Sequence, residues 1–591
     1  MTTDPALGRM LDYQIMWNRL IAVVEEQATT LVRTAFSTSV REAGDLSAGL
    51  FDRRARMIAQ AVTGTPGHVN AMAESVGHFL RHIGEDNVHD GDVYITNDPW
   101  MGTGHLHDIT VVTPVFRAGR LIGFFACTAH VVDIGGRGFG PDAGEVYEEG
   151  LQIPICKFAD RGRIDPLLVQ IIRANVRTPD QTVGDIHSLA ACNAAGMRRL
   201  SMMLDEFALD DIEGLADYIV AQSLAATHAA IARVPDGVFT NRMTVDGYDA
   251  PVVMQVALRI AGDRLQADFA GTSGPSAHGV NVPEVYTRAY ACYALKCAIA
   301  PEVPNNAGAL APFEITAPEG CILAARRPAP VSVRHVLGHL VPDVVLGALW
   351  HALPDVIPAE GASALWNVQI SARPRDPASG LAPAEVLMFN SGGTGARPGL
   401  DGLSATAFPS GVSTMSVEAT EHVGPITVWR KEFRPGSGGA GRMRGGLGQV
   451  IEIEAAEGYD MWFNAMFDRV VHPARGRAGG GSGAPGRVEL ADGTALRSKG
   501  RQPVPPGARL RLSLPGGGGH GDPALRDPDA LRRDLEAGFV TADEAARLYG
   551  ASAGASASAG ACASSGGGAG GGTGGGTGAE TEDHSGSERE T

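Results

Sequence analysis

Residues 104–130 read GHLHDITVVTPVFRAGRLIGFFACTAH, and this stretch decides the fold of the N-terminal part of the chain. Two runs rich in β-branched and aromatic residues, 109–116 and 121–129, flank a short turn over residues 117–120. Such runs on either side of a turn that contains glycine are typical of a β-hairpin. The sequence therefore predicts two antiparallel strands that begin and end close together.

The predicted hairpin brings candidate metal ligands to its open end. Because the turn is centred after Ala118, residue 108 should face about residue 129, within one position of His130. Opposite residues of an antiparallel pair lie about 5 Å apart. We therefore expect Asp108 and His130 to meet, with His105 in the loop just before them. Seven of the 17 histidines fall in residues 68–130, which also favours a metal site here.

Two imidazoles and one carboxylate with open coordination positions suit Mn²⁺, Fe²⁺ or Zn²⁺, which can activate water. Asp45 lies at the open end of another predicted hairpin, formed by residues 46–51 and 57–61, and is a candidate fourth oxygen ligand or general base. His107 is an alternative ligand to His105, because strand alternation places both side chains on the same face. Spacing alone leaves a purely structural role open, since such residues at strand ends are often exposed or hydrogen-bonded.

Composition limits the class of partner. The 591 residues include 49 basic and 66 acidic side chains, a net charge of −17, with no basic run, so nucleic acid and anionic membranes are poor partners. None of the four lysines follows a glycine, which excludes a Walker-type phosphate loop. The seven scattered cysteines, the absence of a signal pattern and the absence of a long apolar run favour a cytoplasmic protein.

The predicted fold class is mixed α/β in a multi-domain chain. Apolar periodicity predicts a helix over residues 11–36 and mostly helical structure over 165–233. We expect four regions, which are an N-terminal metal-binding α/β region (1–233), a middle β-rich and helical region (234–391), a C-terminal β-rich region with glycine-rich loops and closing helices (392–549) and a disordered Gly/Ala/Ser tail (550–591).

Many motifs along the chain resemble those of the hydantoinase B/oxoprolinase family, in the family's order, over roughly residues 5–550. They are RTAFS (33–37), DLSAGLFD (45–52), NDP (97–99), GHLHDI (104–109), AHVVDIGG (129–136), EGLQIP (149–154), ANVRTP (174–179), DFAGTS (268–273), PNN (304–306), GGAGR (438–442), RGGLG (444–448) and PGGGGHGDP (515–523).

The resemblance implies a divided enzyme. The family includes the second subunits of ATP-dependent N-methylhydantoinases, the corresponding half of 5-oxoprolinase, and subunits of acetone and acetophenone carboxylases. A partner of the hydantoinase A type would use ATP and Mg²⁺ to phosphorylate the substrate's carbonyl oxygen, in a hetero-oligomer such as α₂β₂. This chain would then act on the activated carbonyl at a divalent metal ion. The family's His-x-x-Asp motif and later His map onto His105, Asp108 and His130, and Asp45 would take a proton.

The leading function on this basis is ATP-dependent hydrolysis of a cyclic amide, that is a hydantoin, 5-oxoproline or a lactam. The alternatives are the metal-containing subunit of an ATP-dependent ketone carboxylase and a non-catalytic scaffold. The sequence departs from the family at His107, where proline is common, at Val131, where a second histidine is common, and at Cys127, where asparagine is common. His107 is therefore a candidate extra ligand or proton carrier.

Other motifs have both a functional and a structural interpretation. The GSGGAG stretch at 436–441 satisfies Gly-x-Gly-x-x-Gly, but a strand-like segment follows it, so a tight packing turn is favoured over a dinucleotide site. Arg334, His335 and Arg397 are candidate anion-binding residues or solvated surface groups. Glu149, with its acidic neighbours, either lines the mouth of the site or belongs to a plain acidic loop.

Overall fold

A seven-stranded antiparallel sheet is the framework of the N-terminal part. The structure, a computed structural model, describes residues 5–62 and 65–550. The strands are β1 (Leu46–Asp52), β2 (Met57–Gln60), β3 (Val93–Thr96), β4 (Asp108–Arg117), β5 (Arg120–His130), β6 (Cys156–Asp160) and β7 (Arg163–Ile164). Their order is β2-β1-β5-β4-β3-β6-β7. The tail predicted for residues 550–591 lies, apart from Gly550, outside the described residues.

Strands β4 and β5 form the predicted hairpin, and Asp108 lies directly opposite His130. The register shifts by one position between Val115 and Phe116, where a β-bulge adds a residue to one strand. This bulge explains why the turn centre alone placed residue 129 opposite Asp108. On the other side of β5, the backbone N–H of His130 donates to the carbonyl oxygen of Asp45 at 3.2 Å. The expected meeting of Asp108 and His130 is confirmed.

Helices cover both faces of this sheet, which is why its strands read as nearly continuous apolar runs. On one face Phe125 of β5 packs with Leu20 and Leu200, and on the other face Phe124 packs with Val76 and Phe79. The helices predicted over 11–36 and 165–233 are confirmed, although the first begins six residues earlier than predicted and ends two residues earlier. The helices of this region are α1 (Pro5–Thr34), α2 (Thr38–Arg41), α3 (Pro66–Ile83), α4 (Pro166–Asn175), α5 (Pro179–Glu206) and α6 (Glu213–Ile231).

A four-stranded sheet of order β11-β10-β9-β8 forms the middle of the chain. Its strands are β8 (Gly237–Val245), β9 (Val252–Ala261), β10 (Arg264–Asp268) and β11 (Phe313–Thr316), and the helices are α7 (Glu284–Ile299), α8 (Ala307–Leu310), α9 (His335–Gly338) and α10 (Val341–Leu349). Alternate residues of β9, such as Met254 and Val256, share one buried core with Tyr290 of α7 and Val344 of α10. One face of this sheet is therefore covered by helices.

Two further four-stranded sheets share a core in the C-terminal part. Their orders are β13-β12-β16-β18 and β14-β15-β19-β17. The elements are β12 (Val368–Pro374), β13 (Ala384–Met388), α11 (Val417–Val423), β14 (Ile426–Phe433), β15 (Gln449–Ala455), β16 (Tyr459–Met466), β17 (Arg487–Leu490), β18 (Lys499–Val504), β19 (Leu510–Ser513), α12 (Pro528–Glu536) and α13 (Ala542–Tyr549). Trp366, Phe463 and Leu512 pack together between the sheets. The boundaries proposed at residues 233 and 391 stay predictions.

The glycine-rich segments pack backbone against backbone. The N–H of Gly439 donates to the carbonyl oxygen of Gly517 at 2.8 Å. The N–H of Gly517 in turn donates to the carbonyl oxygen of Gly446 at 3.0 Å. A methyl group placed on Gly517 would overlap the carbonyl oxygen of Thr394. Glycine is needed where main chains approach this closely. The Gly-x-Gly-x-x-Gly stretch is therefore part of a structural layer, as its structural interpretation predicted.

A buried ion network joins the middle and C-terminal parts of the chain. Arg469, 1% exposed, donates to Asp343 of α10 at 2.8 Å and to Glu360 at 3.2 Å. Ser363 also donates to Asp343, at 2.7 Å. These bonds fix the segment that continues to Asn367, which lines the small cavity described below.

Candidate metal centre

His105, Asp108 and His130 form one buried cluster at the open end of the β4–β5 hairpin. Each offers a ligand atom, and the three atoms lie within 4.8 Å of one another. Nε2 of His105 lies 2.7 Å from Oδ1 of Asp108, and Nδ1 of His130 lies 3.0 Å from the same oxygen. None of the three residues is more than 3% exposed. The structure thus brings together the three residues that the hairpin arithmetic and the family resemblance selected.

The hydrogen bonds of His105 make a cation at this cluster chemically favourable. Its Nδ1 lies 2.7 Å from the carbonyl oxygen of Ser332, which can only accept, so Nδ1 carries the proton of the neutral ring. Burial and, to a smaller extent, the nearby Arg334 charge lower the pKa of His105 to about 3, so the ring is neutral near pH 7. Nε2 is then a bare lone pair facing a carboxylate oxygen of Asp108. Two facing lone pairs fit a metal ion bound between them.

The second oxygen of Asp108 is held by protein donors. Oδ2 accepts a hydrogen bond from Thr103 at 2.7 Å, lies 2.9 Å from Nε2 of His68, and is bonded by Arg334. Burial alone would raise the pKa of Asp108, but His105, His68 and Arg334 hold it well below its usual range. Oδ1 is therefore the oxygen that faces both ligand imidazoles, while Oδ2 fixes the carboxylate's orientation.

Asp45 lies beside the cluster, but its carboxylate contacts His68 and Thr65 rather than the side chains of the three candidate ligand residues. Its Oδ1 accepts a hydrogen bond from Thr65 at 2.9 Å and lies 3.6 Å from Nδ1 of His68. Burial lowers the pKa of His68, but Asp108 and Asp45 raise it by more. His68 thus connects Asp45 to Asp108. Sequence spacing missed this role, although the histidine cluster that begins at His68 was the available signal.

Arg334 is part of the centre and is not the solvated surface group that one interpretation allowed. It is 3% exposed, its Nε donates to the carbonyl oxygen of Thr103 at 2.8 Å, and its guanidinium lies 4.0 Å from the centroid of the Tyr286 ring. Arg397, by contrast, is half-buried and donates to the carbonyl oxygen of Asp401 at 3.1 Å, outside the cluster.

Glu149 is fully buried, which excludes the plain acidic loop that one of its two interpretations allowed. Its Oε1 accepts the backbone N–H groups of Val331 and of Ser332, the latter at 2.7 Å. These bonds hold the segment whose carbonyl oxygen orients His105 and which continues to Arg334. Burial raises the pKa of Glu149 to about 8. Glu149 therefore helps to position His105 and Arg334 through the segment that it bonds.

Further imidazoles surround His105, Asp108 and His130, which we call the ligand cluster. His107 stacks on His130 with ring centroids 5.5 Å apart, and its two ring nitrogens have no hydrogen-bond partner among the described residues. Both ring nitrogens of His335 and Nε2 of His130 are likewise buried without a partner in the described part of the chain. Buried polar atoms normally have partners, so these nitrogens fit a site that binds a ligand. His107 is outside the three-residue cluster, and its role stays a prediction.

The cavity at the centre is small. It measures about 20 Å³ and is lined by Asp45, Thr65, His68, His105, His130, Phe139, Tyr286, Arg334, His335, His339, Leu365, Asn367 and Ser410. This volume is enough for about one water molecule. We call it the inner cavity.

No helix within residues 5–62 and 65–550 is both long and apolar enough to cross a membrane.

Known proteins are similar to this chain in sequence and in fold. Caprolactamase subunit beta from Pseudomonas jessenii is 28% identical, covering 93% of this chain and 96% of the relative. The 5-oxoprolinase 1 of Arabidopsis thaliana is 30% identical over 87% of this chain, which spans 42% of that protein. The crystal structure of the ATP-dependent caprolactamase from Pseudomonas jessenii superposes with a TM-score of 0.83 at 24% identity, covering 93% of this chain and 96% of that one.

A nucleotide-free structure of acetone carboxylase has the same fold, with a TM-score of 0.78 at 20% identity, over 91% of this chain and 79% of that one. A family model described as hydantoinase B/oxoprolinase matches residues 10–523. This match spans most of the chain and includes every residue of the candidate metal centre. The chain therefore belongs to the hydantoinase B/oxoprolinase family.

Proposed function

We propose that this chain is the metal-containing subunit of an ATP-dependent cyclic amide hydrolase. The observation that carries the proposal is the buried cluster of His105, Asp108 and His130, in which a bare imidazole nitrogen faces a carboxylate oxygen 2.7 Å away. Such a donor set suits Mn²⁺, Fe²⁺ or Zn²⁺. The partner would be an ATP-binding subunit of the hydantoinase A type in a cytoplasmic hetero-oligomer such as α₂β₂.

The substrate class rests on the named relatives. The family description refers to hydantoinase and oxoprolinase, and the relatives that are 28–30% identical to this chain are named 5-oxoprolinase and caprolactamase. All of these are names of cyclic amide hydrolases. Acetone carboxylase enters through a fold match at 20% identity, which is a likeness of fold alone. Hydrolysis is therefore favoured over ketone carboxylation. The filled ligand positions argue against a purely non-catalytic scaffold.

Different residues would contribute to different steps of the hydrolysis. An amide carbonyl is a poor electrophile, and phosphorylation of its oxygen by the partner would supply a leaving group. A divalent metal ion held by His105, Asp108 and His130 would supply Lewis acidity and lower the pKa of water. Asp45, whose carboxylate lines the inner cavity, would accept the proton of the attacking water at an oxygen, as a general base.

The surrounding residues keep this arrangement rigid. Ser332 fixes the tautomer and orientation of the His105 ring, while Thr103, Arg334 and His68 fix the carboxylate of Asp108. Outer partners of this kind raise metal affinity about 10- to 100-fold. Burial of the cluster excludes bulk water, which would otherwise hydrolyse an activated intermediate before the directed attack.

The test is reconstitution with the partner subunit. The complex should hydrolyse 5-oxoproline, hydantoin or caprolactam only with ATP, and Asp45→Asn should lower kcat by about 10²-fold or more while metal content is unchanged. Loss of metal from Asp45→Asn would make Asp45 a ligand instead of a base. A reaction that consumes bicarbonate and a ketone, with no amide hydrolysis, would overturn the proposed function.

A further inference from the structure

The inner cavity is too small for the proposed substrate. Sites that enclose small molecules usually measure about 300–1,000 Å³, whereas the inner cavity measures about 20 Å³. A cyclic amide must therefore occupy additional space, at least while it approaches the ligand cluster. Such space should adjoin the inner cavity and carry polar groups that recognise the ring and its substituents.

A pocket of about 550 Å³ lies directly behind one wall of the inner cavity. We call it the outer pocket. Asp45, Thr65 and Ser410 line the inner cavity. Their immediate chain neighbours line the outer pocket, namely Gly44, Leu46, Pro66, Pro409 and Gly411. Asp45, Thr65 and Ser410 therefore form a wall between the inner cavity and the outer pocket.

The outer pocket has one unbalanced positive charge. Lys296 of α7 lines it, and within the described chain its Nζ approaches only the carbonyl oxygen of Ala300, at 3.5 Å. The other charged groups of the lining, Arg41 and Glu42, pair with each other at 3.0 Å. Burial lowers the pKa of Lys296, so an anion bound beside it would offset the cost of keeping the ammonium charged.

Three carboxamide side chains in the outer pocket hold one another in place. Nδ2 of Asn305 donates to Gln60 at 2.7 Å and to Asn70 at 2.9 Å, which fixes the orientation of its carboxamide. Its Oδ1 is buried and has no partner among the residues that the structure describes. The two hydrogen bonds of Nδ2 give the outer pocket a fixed polar wall.

We propose that the outer pocket binds a cyclic amide that carries a carboxylate, with Lys296 bonding the carboxylate. The ring then lies against the wall formed by Asp45, Thr65 and Ser410, next to the ligand cluster. This inference rests on the proposed function, and it narrows the substrate class to anionic cyclic amides such as 5-oxoproline.

Cys297 provides a direct probe of occupancy. It lines the outer pocket and is exposed, whereas Cys127, Cys192, Cys292 and Cys321 are buried. In a Cys156→Ser, Cys562→Ser background, the rate at which iodoacetamide alkylates Cys297 can be followed by mass spectrometry. The measurement uses the full chain in its complex without ATP, so no turnover takes place. Increasing concentrations of 5-oxoproline and of its neutral analogue 2-pyrrolidone are compared.

We expect 5-oxoproline to protect Cys297, and Lys296→Met to raise the concentration needed for half-protection about tenfold or more, because a charge-assisted bond is lost. Protection by 2-pyrrolidone should be equal in the two proteins. Arg326→Met, which removes an arginine whose side chain is 65% exposed, should behave as wild type. Absence of protection by 5-oxoproline, or equal protection in Lys296→Met, would overturn the proposal.

The outcome is separable from that of the proposed function. Protection without amide hydrolysis in the ATP-supplied complex would refute the hydrolase while the outer pocket stands. Hydrolysis without protection, or hydrolysis of neutral rings alone, would refute the outer pocket as the site for the anionic ring while the hydrolase stands.

Discussion

Removal of the Arg334 side chain should destabilise the protein strongly, and bound metal should restore part of the loss. In Arg334→Met the carboxylate of Asp108, which is 1% exposed, loses its guanidinium partner. Breaking a buried ion pair by removing one partner costs about 3–5 kcal/mol. The contact of Arg334 with the Tyr286 ring, 4.0 Å from the guanidinium to the ring centroid, adds roughly 1–2 kcal/mol.

The assay is urea unfolding of the full chain, first with chelator and then with added Mn²⁺ or Zn²⁺. With chelator we expect a loss of at least about 3 kcal/mol relative to wild type. With metal the loss should shrink, because a cation bound at Oδ1 of Asp108 partly replaces the missing positive charge and binding stabilises the folded state. Arg326→Met, which breaks only an exposed pair with Glu319 at 2.9 Å, is the control and should change stability by less than about 1 kcal/mol.

Unfolding free energies of Arg334→Met and Arg326→Met that agree within about 1 kcal/mol would refute this reasoning. They would mean that the charge of Asp108 is balanced by its other neighbours, His68 and the two ligand imidazoles. A loss that is unchanged by metal would mean that the cation does not bind at Asp108.

Three further predictions concern the scaffold. Arg469→Met should lower the unfolding free energy by about 3–5 kcal/mol in urea titrations, because Asp343 and Glu360 would remain buried without their shared partner; a loss under about 1 kcal/mol would contradict the network. Gly517→Ala should cost about 3 kcal/mol or more, seen as a lower Tm, since its methyl group meets a neighbouring carbonyl oxygen; an unchanged Tm would show that the glycine layer yields easily. Glu149 has a folded-state pKa of about 8, raised by burial above its ordinary 4.5, so its stabilising contribution is complete below about pH 4.5 and is lost as pH rises through about 8. Unfolding measured from pH 5 to pH 9 should therefore show Glu149→Gln gaining roughly 4 kcal/mol on wild type, and parallel pH profiles would contradict the raised pKa.

The hairpin and the meeting of its candidate ligand residues could be predicted because the determining information is local. Strand periodicity and a short turn set which residues face each other, and a single bulge between Val115 and Phe116 accounts for the one-residue error. Spacing alone could not choose between His105 and His107, and the choice of His105 came from the resemblance to the family's His-x-x-Asp motif. Helix positions followed from apolar periodicity, but the first helix begins at Pro5, six residues before its predicted start, because its first turns lack a strong apolar pattern.

The rest of the centre depends on tertiary contacts between distant segments. Arg334 is 226 residues from Asp108 in the chain, and Ser332 is 227 residues from His105, so no spacing rule connects them. The same holds for Glu149, whose burial follows from its bonds to the segment at residues 331 and 332. The glycine-rich stretches show the converse limit, because their purpose becomes visible only when several main chains are placed side by side.

The central claim is that His105, Asp108 and His130 bind a divalent metal ion, and metal analysis of the purified full chain tests it most directly. We predict about one metal ion per chain in wild type and its loss in the His105→Ala, His130→Ala double variant. A His78→Ala, His82→Ala variant removes two histidines from helix α3 outside the cluster and should retain the metal. Equal trace amounts of metal in wild type and in the His105→Ala, His130→Ala variant would contradict the account.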